Sequence, residues 1–349
     1  MEYLADFLLF LAKTVALLGG IGVLIAIVTA MGQKAKKLHK GHLEVTQLNE
    51  HYEHLKDDLN QHLQTKEQLK QAAKEEKKKA KQKKKEEKLH KEQEPEKPRV
   101  FVLDFNGDLK ASAVKSLREE ITAVLSLANP KQDEVVVRLE SGGGLVHSYG
   151  LASSQLKRIT EKGVKLTVTV DKVAASGGYM MACTADQIIA APFAVIGSIG
   201  VMAQLPNFNR LLKKHDVDIE LHTAGEFKRT LTLLGENTDK GREKFKQDME
   251  DTHELFKDFV QSNRDLVNIA EVATGEIWYG QKALDLKLVD ELKTSDEYIY
   301  DKIERSDVLQ VAYVVKKGIA DKLGLAAEGA MDRTLIKWLG RLSNSRYFQ

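Results

Sequence analysis

Residues 134–170 read EVVVRLESGGGLVHSYGLASSQLKRITEKGVKLTVTV, and this stretch decides the fold. The apolar runs at 134–140 and 164–170 have the length and the β-branched content of buried strands. Between them, the spacing of apolar residues from 146 to 162 predicts a helix. A strand, a helix and a second strand in this order indicate two parallel strands joined by a crossover helix, and hence an α/β domain.

The alternation of strands and helices continues on both sides of this unit. Further strands are predicted at 100–105 and 186–191, and a further helix at 111–127. We therefore expect a mostly parallel sheet with flanking helices. The glycine-rich segments ESGGGL, at 140–145, and ASGGYM, at 175–180, follow predicted strands, which is where α/β folds carry their catalytic groups.

Charge is unevenly distributed along the 349 residues. The formal net charge is only +2, but the chain contains a strongly basic tract between less biased segments. This balance argues against a nucleic-acid partner for the chain as a whole. The single cysteine, Cys183, cannot form an intramolecular disulfide, and its neighbours predict a small side chain in the core.

Residues 7–31, FLLFLAKTVALLGGIGVLIAIVTAM, are apolar apart from Lys13 and predict one membrane-spanning helix. A cleaved signal peptide is the alternative because VTA at 28–30 resembles a cleavage site, although the leading residues include Glu2 and Asp6 and no basic cluster. The lysines that follow the span favour a cytoplasmic position for the downstream domain. Lys13 and the length of the downstream chain leave the opposite orientation open.

The region after the span, from 34 to 98, is predicted to be a charged helical or flexible linker. Apolar residues at 48, 52, 55 and 59 form a narrow stripe that would suit a short coiled coil. From 64 to 97 the sequence is almost entirely Lys, Glu and Gln, which cannot offset the entropy of ordering by burying apolar surface. A solvated tether is the first interpretation, and a basic contact with anionic lipid head groups is the second.

Four regions follow from these patterns: a membrane anchor at 1–33, the linker at 34–98, a folded domain at 99–315 and an extension at 316–349. The extension contains DRTLIKWLGRL, which has apolar residues on one broad helical face and basic residues on the other. Such a helix could lie on a membrane surface, form an oligomer contact or dock on the folded domain.

Ser176 lies between two alanines and two glycines, directly after a predicted strand. One interpretation is that it only caps the following helix. The other is that it is a nucleophile, because neighbouring glycines let backbone approach a substrate and direct amides toward a developing oxyanion. The amides of Gly177 and Gly143 are the candidate donors. The residue pattern leaves both interpretations open, and one serine can fill both roles.

A serine nucleophile needs a base. The histidines of the predicted domain are His147, His215, His222 and His253. His147 follows the glycine-rich segment but has no evident carboxylate partner, so we interpret it as a residue on a helix surface. Lys228 follows a strand-like segment, DIELHTA, and a glycine turn, where burial would favour a neutral amine. On spacing alone, Lys228 is one of many solvated lysines.

Three segments together resemble the signal peptide peptidase A family of Ser-Lys serine proteases. They are VDKVAASGGYMMACTADQIIAAPFAVIGSIGV at 170–201, NFNRLLKKHDVDIELHTAGEFKRTLTLLGENT at 207–238 and ATGEIWYGQKALDLKLVDEL at 273–292. The resemblance runs in order from about Arg99 to about Leu292, and the anchor and linker fit the family's short, membrane-anchored members. It implies a ClpP/crotonase-type fold with parallel sheets and flanking helices, preceded by one transmembrane helix and a charged helical linker.

The resemblance also implies roles for individual residues. Ser176 would be the nucleophile and Lys228 the general base, while Ser198, in GSIGV, would orient the lysine amine. Gly143 and Gly177 match the family's oxyanion positions, and no cofactor is implied. In the family, ring-like oligomers share their active sites, and the lysine of one subunit reaches the serine of its neighbour. We therefore expect a homo-oligomer whose isolated subunit is inactive.

One position departs from the family pattern. The usual loop reads Ser-Pro-Gly-Gly, whereas this chain has SGGG, with Gly142 in the proline position. Because the fixed φ of proline is lost, we expect the oxyanion donor at Gly143 to be less preorganised. The predicted effect is a lower activity and not its loss.

By resemblance, the substrates are signal-peptide remnants or misfolded membrane or envelope polypeptides, bound as an added strand at the bacterial inner membrane. The segments YMMACTA and VMAQLPNF could line a groove for apolar peptides or pack in the core. Two other functions compete. A crotonase-type enzyme would hold a thioester enolate and bind coenzyme A, and a non-catalytic oligomeric membrane scaffold would use Ser176 only as a cap. The combination of Ser176, Lys228 and Ser198 favours the protease.

Overall fold

The computed structural model describes residues 41–63 and 97–315. The chain divides into two compact units, one of which comprises Glu44–Ala312 and the other residues 1–43 and 313–349. The larger unit carries every predicted site residue. The predicted membrane span and the C-terminal extension lie outside the described residues. Within the described ranges, no helix is long and apolar enough to cross a membrane.

Strands and helices alternate through most of the described chain. The strands are β1 (His42–Gln47), β2 (Arg99–Asn106), β3 (Glu134–Glu140), β4 (Lys165–Val170), β5 (Val173–Ala175), β6 (Gln187–Ala190), β7 (Val195–Gly197), β8 (Ile277–Tyr279), β9 (Glu291–Leu292) and β10 (Asp307–Val314). The helices are α1 (Leu48–Leu63), α2 (Val114–Leu125), α3 (Val146–Glu161), α4 (Gly177–Ala182), α5 (Asn209–Lys214), α6 (Asp239–Asn263), α7 (Ile269–Val272), α8 (Gly280–Asp285) and α9 (Ser295–Ile303).

A seven-stranded sheet in the order β1-β10-β2-β3-β4-β6-β9 forms the centre of the fold. All neighbours from β10 to β9 pair in parallel, which confirms the predicted α/β architecture with a mostly parallel sheet. The strands predicted at 100–105, 134–140, 164–170 and 186–191 are confirmed as β2, β3, β4 and β6. The two predicted helices are confirmed as α2 and α3.

Both faces of the large sheet are covered, as buried parallel strands require. On the first face, α2, α3, α4 and α6 pack against apolar strand residues such as Leu103, Val137 and Val168. On the second face, α1 and α9 contribute Leu48 and Ile299 to a smaller core. Side chains alternate between these faces along each strand, so the strands read as nearly continuous apolar runs.

A second, three-stranded sheet has the order β5-β7-β8. In the chain, β5 follows β4 and β7 follows β6. β5 and β7 are parallel, with Val173 opposite Val195, whereas β8 is antiparallel to β7. Each of these strands has 3 residues, which is too short for a periodic pattern to predict it. The last residue of β5, Ala175, is followed directly by Ser176.

Residues 44–63, near the start of the described part of the chain, belong to the larger unit. β1 is an edge strand of the large sheet, and α1 confirms the helix predicted from the apolar stripe. Leu48 is buried, and the Asn49 side chain donates to the Ser306 carbonyl at 2.9 Å and accepts from the Val308 amide at 2.8 Å. The structure therefore places these residues in the domain and not in the linker predicted for 34–98, because they cover the second face and satisfy backbone groups at the start of β10.

The second-face core contains a buried acid, Glu134. Its carboxylate accepts hydrogen bonds from the Thr167 hydroxyl at 2.5 Å, the Tyr298 hydroxyl at 2.5 Å and Lys302 Nζ at 2.6 Å. Burial raises the pKa of Glu134, but the three hydrogen bonds outweigh it and hold that pKa below its ordinary value. Burial and the nearby carboxylate raise the pKa of Tyr298 to about 12, so the phenol remains a donor.

Replacing this acid, Glu134→Gln, is expected to lower the free energy of unfolding by about 2–3 kcal/mol at neutral pH, because Lys302 loses its buried partner. The pKa of folded Glu134 is lowered, so its stabilisation is complete above the unfolded value, near pH 4.3, and is lost as the pH falls through the folded value. Urea unfolding at neutral and acidic pH should show the gap between wild type and variant closing below about pH 4.

The matched control is Glu140→Gln, since Glu140 pairs with Lys172, whose side chain is 72% exposed. This variant should change the free energy of unfolding by less than about 0.5 kcal/mol. Equal losses in the two variants would contradict the role assigned to the buried acid.

Candidate active site

Ser176 lies at the junction between β5 and α4, where the backbone is strained. Its φ is 53° and its ψ is −121°, a combination that residues with a side chain rarely adopt. Two hydrogen bonds hold it there: Ser176 N donates to Gly197 O at 2.8 Å, and Ser176 O accepts from Met180 N at 2.9 Å. Backbone strain of this kind concentrates at functional sites.

The Ser176 hydroxyl is free. The residue occupies the N-cap position of α4, but its side chain makes no capping hydrogen bond. The prediction that Ser176 also caps its helix is therefore wrong for the hydroxyl, because the positive φ differs from the extended backbone of a capping serine. Among the described residues, the hydroxyl has no hydrogen-bond partner, so it can react with a substrate.

Gly143 and Gly177 lie directly against Ser176. A Cβ atom on Gly143 would be 2.6 Å from Gly177 N and 2.7 Å from Ser176 Cβ, and the φ of Gly143 is +87°. Both features require glycine at this position. Gly177 is the first residue of α4, and its amide donates to no group in the described part of the chain, so it is available to an oxyanion.

The Gly143 amide is already engaged in a chain of hydrogen bonds. It donates to Ser141 Oγ at 3.1 Å, Ser141 Oγ lies 2.6 Å from the Tyr149 hydroxyl, and this hydroxyl donates to Asp108 O at 2.8 Å. Burial raises the pKa of Tyr149, so the phenol stays protonated and keeps donating. An oxyanion at Gly143 would have to displace the long, local bond to Ser141.

Ser141 and Tyr149 were not predicted as site residues. Tyr149 is fully buried, and a Cβ atom on Gly177 would lie 2.4 Å from Tyr149 Cγ, so the tyrosine ring also enforces glycine at the start of α4. The only sequence signal is a tyrosine on the apolar face of a helix, which ordinarily indicates core packing. Its hydrogen bonds depend on the contact of α3 with the loop after β2, which no local pattern reveals.

Ser198 is brought next to Ser176 by the small sheet. β7 runs beside β5, with Gly197 in register with Ala175, so that the two serines follow neighbouring strand ends. Ser198 has a positive φ of 51°, and its amide donates to Glu276 O at 2.7 Å. The structure thus assembles two serines and two glycines from two strand ends and one loop.

Lys228 is not part of this assembly within one chain. It is exposed, and it does not line the cavity at Ser176. The strand predicted at 218–224 is wrong: these residues form no strand, because no described strand pairs with them, and Ile219 and Leu221 are 41% and 52% exposed. No described side chain of the same chain that could act as a base hydrogen-bonds to the Ser176 hydroxyl.

The histidines and the cysteine occupy other places. His147 is exposed at the start of α3, which confirms its interpretation as a helix-surface residue. His215 and His222 are exposed, and a ring nitrogen of His253 lies 3.2 Å from Ile199 O. Cys183 is fully buried, and burial raises the pKa of its thiol to about 12, which confirms it as an unreactive core side chain.

An apolar cavity of about 310 Å³ opens beside Ser176. Its lining comes from α3, α4, α6 and the segment after Ser198, and comprises Gly144, Val146, Gly150, Ser154, Ser176, Gly177, Met180, Gly200, Val201, Thr252, Leu255, Phe256 and Phe259. Of the two segments predicted to form a groove, YMMACTA contributes Met180 and VMAQLPNF contributes Val201. Met181 and Cys183 from the first segment are buried in the core instead.

Comparison with known proteins identifies a protease family. Residues 2–156 match the family model "Peptidase family S49 N-terminal", and residues 158–309 match "Peptidase family S49". "Probable protease SohB" of Haemophilus influenzae is 60% identical over 236 residues, which cover 68% of this chain and 67% of the relative. "Probable protease SohB" of Buchnera aphidicola subsp. Acyrthosiphon pisum is 47% identical over 338 residues, which cover 97% of this chain and 98% of the relative.

A third relative, "Probable protease SohB" of Buchnera aphidicola from Schlechtendalia chinensis, is 50% identical over 86% of this chain and 99% of its own length. A solved structure of a variant of the 1510-N membrane-bound stomatin-specific protease has a TM-score of 0.40 and 13% identity, and covers 60% of this chain and 86% of its own. The two family models and the identities and coverages of the three SohB relatives show that the chain belongs to peptidase family S49, a family of serine proteases.

Proposed function

We propose that this protease is a serine endopeptidase in which Ser176 is the nucleophile and Lys228 the general base. One observation carries the proposal: the Ser176 hydroxyl is unpartnered among the described residues, on a strained backbone, beside the free Gly177 amide and the mouth of an apolar cavity. A cap needs none of these features. The sheets that meet at Ser176 support a ClpP/crotonase-type fold.

In the proposed cycle, the Lys228 amine removes the proton of the Ser176 hydroxyl, and the serine oxygen attacks the carbonyl carbon of the peptide bond. The Gly177 and Gly143 amides stabilise the oxyanion, and Ser198 orients the lysine amine. The lysine ammonium then protonates the leaving amine as the C–N bond breaks. Water gives a proton to the same amine and attacks the acyl carbon; as the bond from this carbon to the serine oxygen breaks, the lysine ammonium returns the proton to Ser176 and the carboxylic acid product leaves.

The lysine would come from a neighbouring subunit of a homo-oligomer. The segment around Lys228 carries an unusual density of exposed apolar side chains, which supports its burial against another copy. They are Met202, Leu205, Phe208, Leu211, Val217, Ile219, Leu221, Phe227, Leu233 and Leu234, all at least 41% exposed. A head-to-tail contact that buries this segment beside the neighbour's Ser176 would close into a ring.

The proposed substrates are extended apolar polypeptides. The cavity beside Ser176 is apolar and large enough for a bulky aliphatic or aromatic side chain, so it would select such a residue next to the scissile bond. Signal-peptide remnants and misfolded membrane or envelope polypeptides present such residues in unfolded form.

Anchoring in the bacterial inner membrane is also part of the proposal. Only residues 32–43 separate the predicted span at 7–31 from Glu44, the first residue of the larger unit. Fully extended, these residues reach at most about 40 Å, which would hold the domain close to the bilayer. The charged tract lies between α1 and β2 in the sequence, so the chain from the predicted span to the larger unit does not pass through it. The lysines after the span favour a cytoplasmic domain.

The dyad is tested with full-length protein in detergent and an unfolded apolar polypeptide as substrate. Ser176→Ala and Lys228→Ala should each lower kcat about 10³-fold or more while the oligomer persists by light scattering. The matched control is Lys214→Ala, an exposed lysine of the same segment, which should cleave like wild type. If Lys228→Ala cleaves like wild type, its role as base is wrong. If wild type is also inactive, the non-catalytic scaffold gains support.

Mixed oligomers test whether sites are shared. When Ser176→Ala and Lys228→Ala are co-expressed, random assembly should restore roughly a quarter of the sites, because an intact serine then meets an intact lysine from its neighbour. Activity near a quarter of wild type supports the arrangement. Mixed oligomers as inactive as each parent would show that serine and lysine act within one chain.

The oxyanion loop gives a second test. A Cβ atom on Gly142 would meet nothing within 4 Å, and its amide donates to no described group, so proline fits where the family resemblance expects it. Gly142→Pro should raise kcat about 2- to 5-fold, because a fixed φ preorganises the Gly143 donor. Gly143→Ala should lower kcat about 100-fold or more, because its Cβ would collide with Gly177 N.

The control for both variants is Gly142→Ala, which should leave kcat and the melting temperature close to wild type. A comparable loss of activity in Gly142→Ala and Gly143→Ala would contradict the loop geometry.

A further inference from the structure

A second cavity, of about 300 Å³, lies at the carboxyl ends of β2, β3 and β4, and its lining is polar. Strand register places Asp104, Arg138 and Thr169 side by side across these three strands. Two residues further along, Asn106 and Glu140 form a second polar row. All five residues line this cavity, which we call the polar cavity.

The polar cavity lies on the second face of the sheet, next to the first turn of α9. Leu103 packs in the core of the first face and Val102 in that of the second, so Asp104 shares the second face with Val102. The helix that follows Ser176 packs on the first face. The polar cavity and the apolar cavity at Ser176 have no lining residue in common.

Three groups in the polar cavity have no hydrogen-bond partner in the described part of the chain. The most informative is the Thr169 hydroxyl, because the residue is 1% exposed and a buried unpaired hydroxyl costs free energy. Its side chain shares the second face with Arg138, toward the cavity. The other two, the Asp296 carboxylate and the Asn106 side-chain amide, are exposed, and the Asp296 carboxylate also attracts the Arg138 guanidinium across the cavity.

The remaining carboxylates of the lining are satisfied. Asp104 accepts from Arg138 Nη2 at 2.8 Å, Asp171 accepts from the Ser295 amide at 2.7 Å, and Glu140 pairs with an exposed lysine outside the cavity. The lining contains four carboxylates and one guanidinium, which leaves a formal excess of negative charge. A ligand that fits this charge is a cation.

We propose that the polar cavity binds a small organic cation with a primary ammonium group. An ammonium has three N–H donors and no acceptor, which matches the unpartnered oxygens of Thr169, Asp296 and Asn106. The volume of the cavity admits a short diamine. Within the described ranges, no group of three His, Cys, Asp or Glu side chains is arranged to hold a metal ion.

The test uses full-length protein in detergent and putrescine as the probe. Binding is measured by isothermal titration calorimetry at low ionic strength. One saturable site per chain is expected. Butanediol, which has the same carbon chain without charge, should not bind. Ser176→Ala should bind putrescine like wild type, because the polar cavity is separate from the proposed catalytic site.

Two variants locate the site. Thr169→Val and Asp296→Asn should each weaken putrescine binding at least about 10-fold, because each removes an acceptor for a charged donor. Without putrescine, Thr169→Val should melt at or above the wild-type temperature, since it removes a buried unpaired hydroxyl. The matched control is Glu297→Gln, which removes one charge from the same helical turn outside the cavity and should change affinity less than about 2-fold.

Three results would overturn the proposal. Absence of saturable putrescine binding would mean that the cavity holds only water. Equal binding of butanediol would exclude recognition of an ammonium. An equal loss of affinity in Glu297→Gln and Asp296→Asn would mean that binding reflects general charge attraction.

Discussion

The pairing of β5 with β7, closed by the hydrogen bond from Ser176 N to Gly197 O, is the constraint on which the candidate site depends. It aligns two strand ends so that Ser176 and Ser198 follow them at equivalent positions, each with a positive φ. Each strained residue costs about 1–3 kcal/mol. The buried residues Ala174 and Ile196 of the same strands contribute the packing that offsets this cost.

Close approach of backbone is the second consequence of this arrangement. The loop after β3 comes so near to Ser176 that Gly143 has no room for a side chain, and Tyr149 leaves none at Gly177. The tyrosine hydroxyl ties the same loop to the segment after β2 through Asp108. Packing therefore fixes the positions of the Gly143 and Gly177 amides before a substrate arrives, and under the proposed mechanism this is the condition for electrostatic stabilisation of a transition state. A Cβ atom on Gly142, in contrast, would meet nothing within 4 Å, so packing does not restrain this residue of the loop.

Four of the seven strands of the large sheet could be predicted from the sequence because β2, β3, β4 and β6 are long or continuous apolar runs, whereas β1, β9 and β10 were not predicted. The glycine-rich junctions also predicted that Ser176, Gly177 and Gly143 belong to one site, and the structure brings them into contact. The three-residue strands of the small sheet carry no periodic signal. The alternating segment at 218–224 predicted a strand that does not form, because an alternating pattern cannot supply the neighbouring strand that it needs. Tyr149 and Thr169 gain their importance only from partners, or missing partners, that are distant in the sequence.

Under the proposed mechanism, burial of the exposed apolar segment and activation of the lysine base depend on the same subunit contact. Side chains close to Lys228 in the sequence, such as Phe227 and Leu221, are exposed to water in a single chain. A neighbouring subunit that buried these side chains would also remove the amine from water, and burial favours the neutral form that can accept a proton. Assembly would then supply the base and activate it in the same step. A free subunit would hold a strained, accessible serine without a base, so a newly made chain could not cleave other proteins before the ring closes.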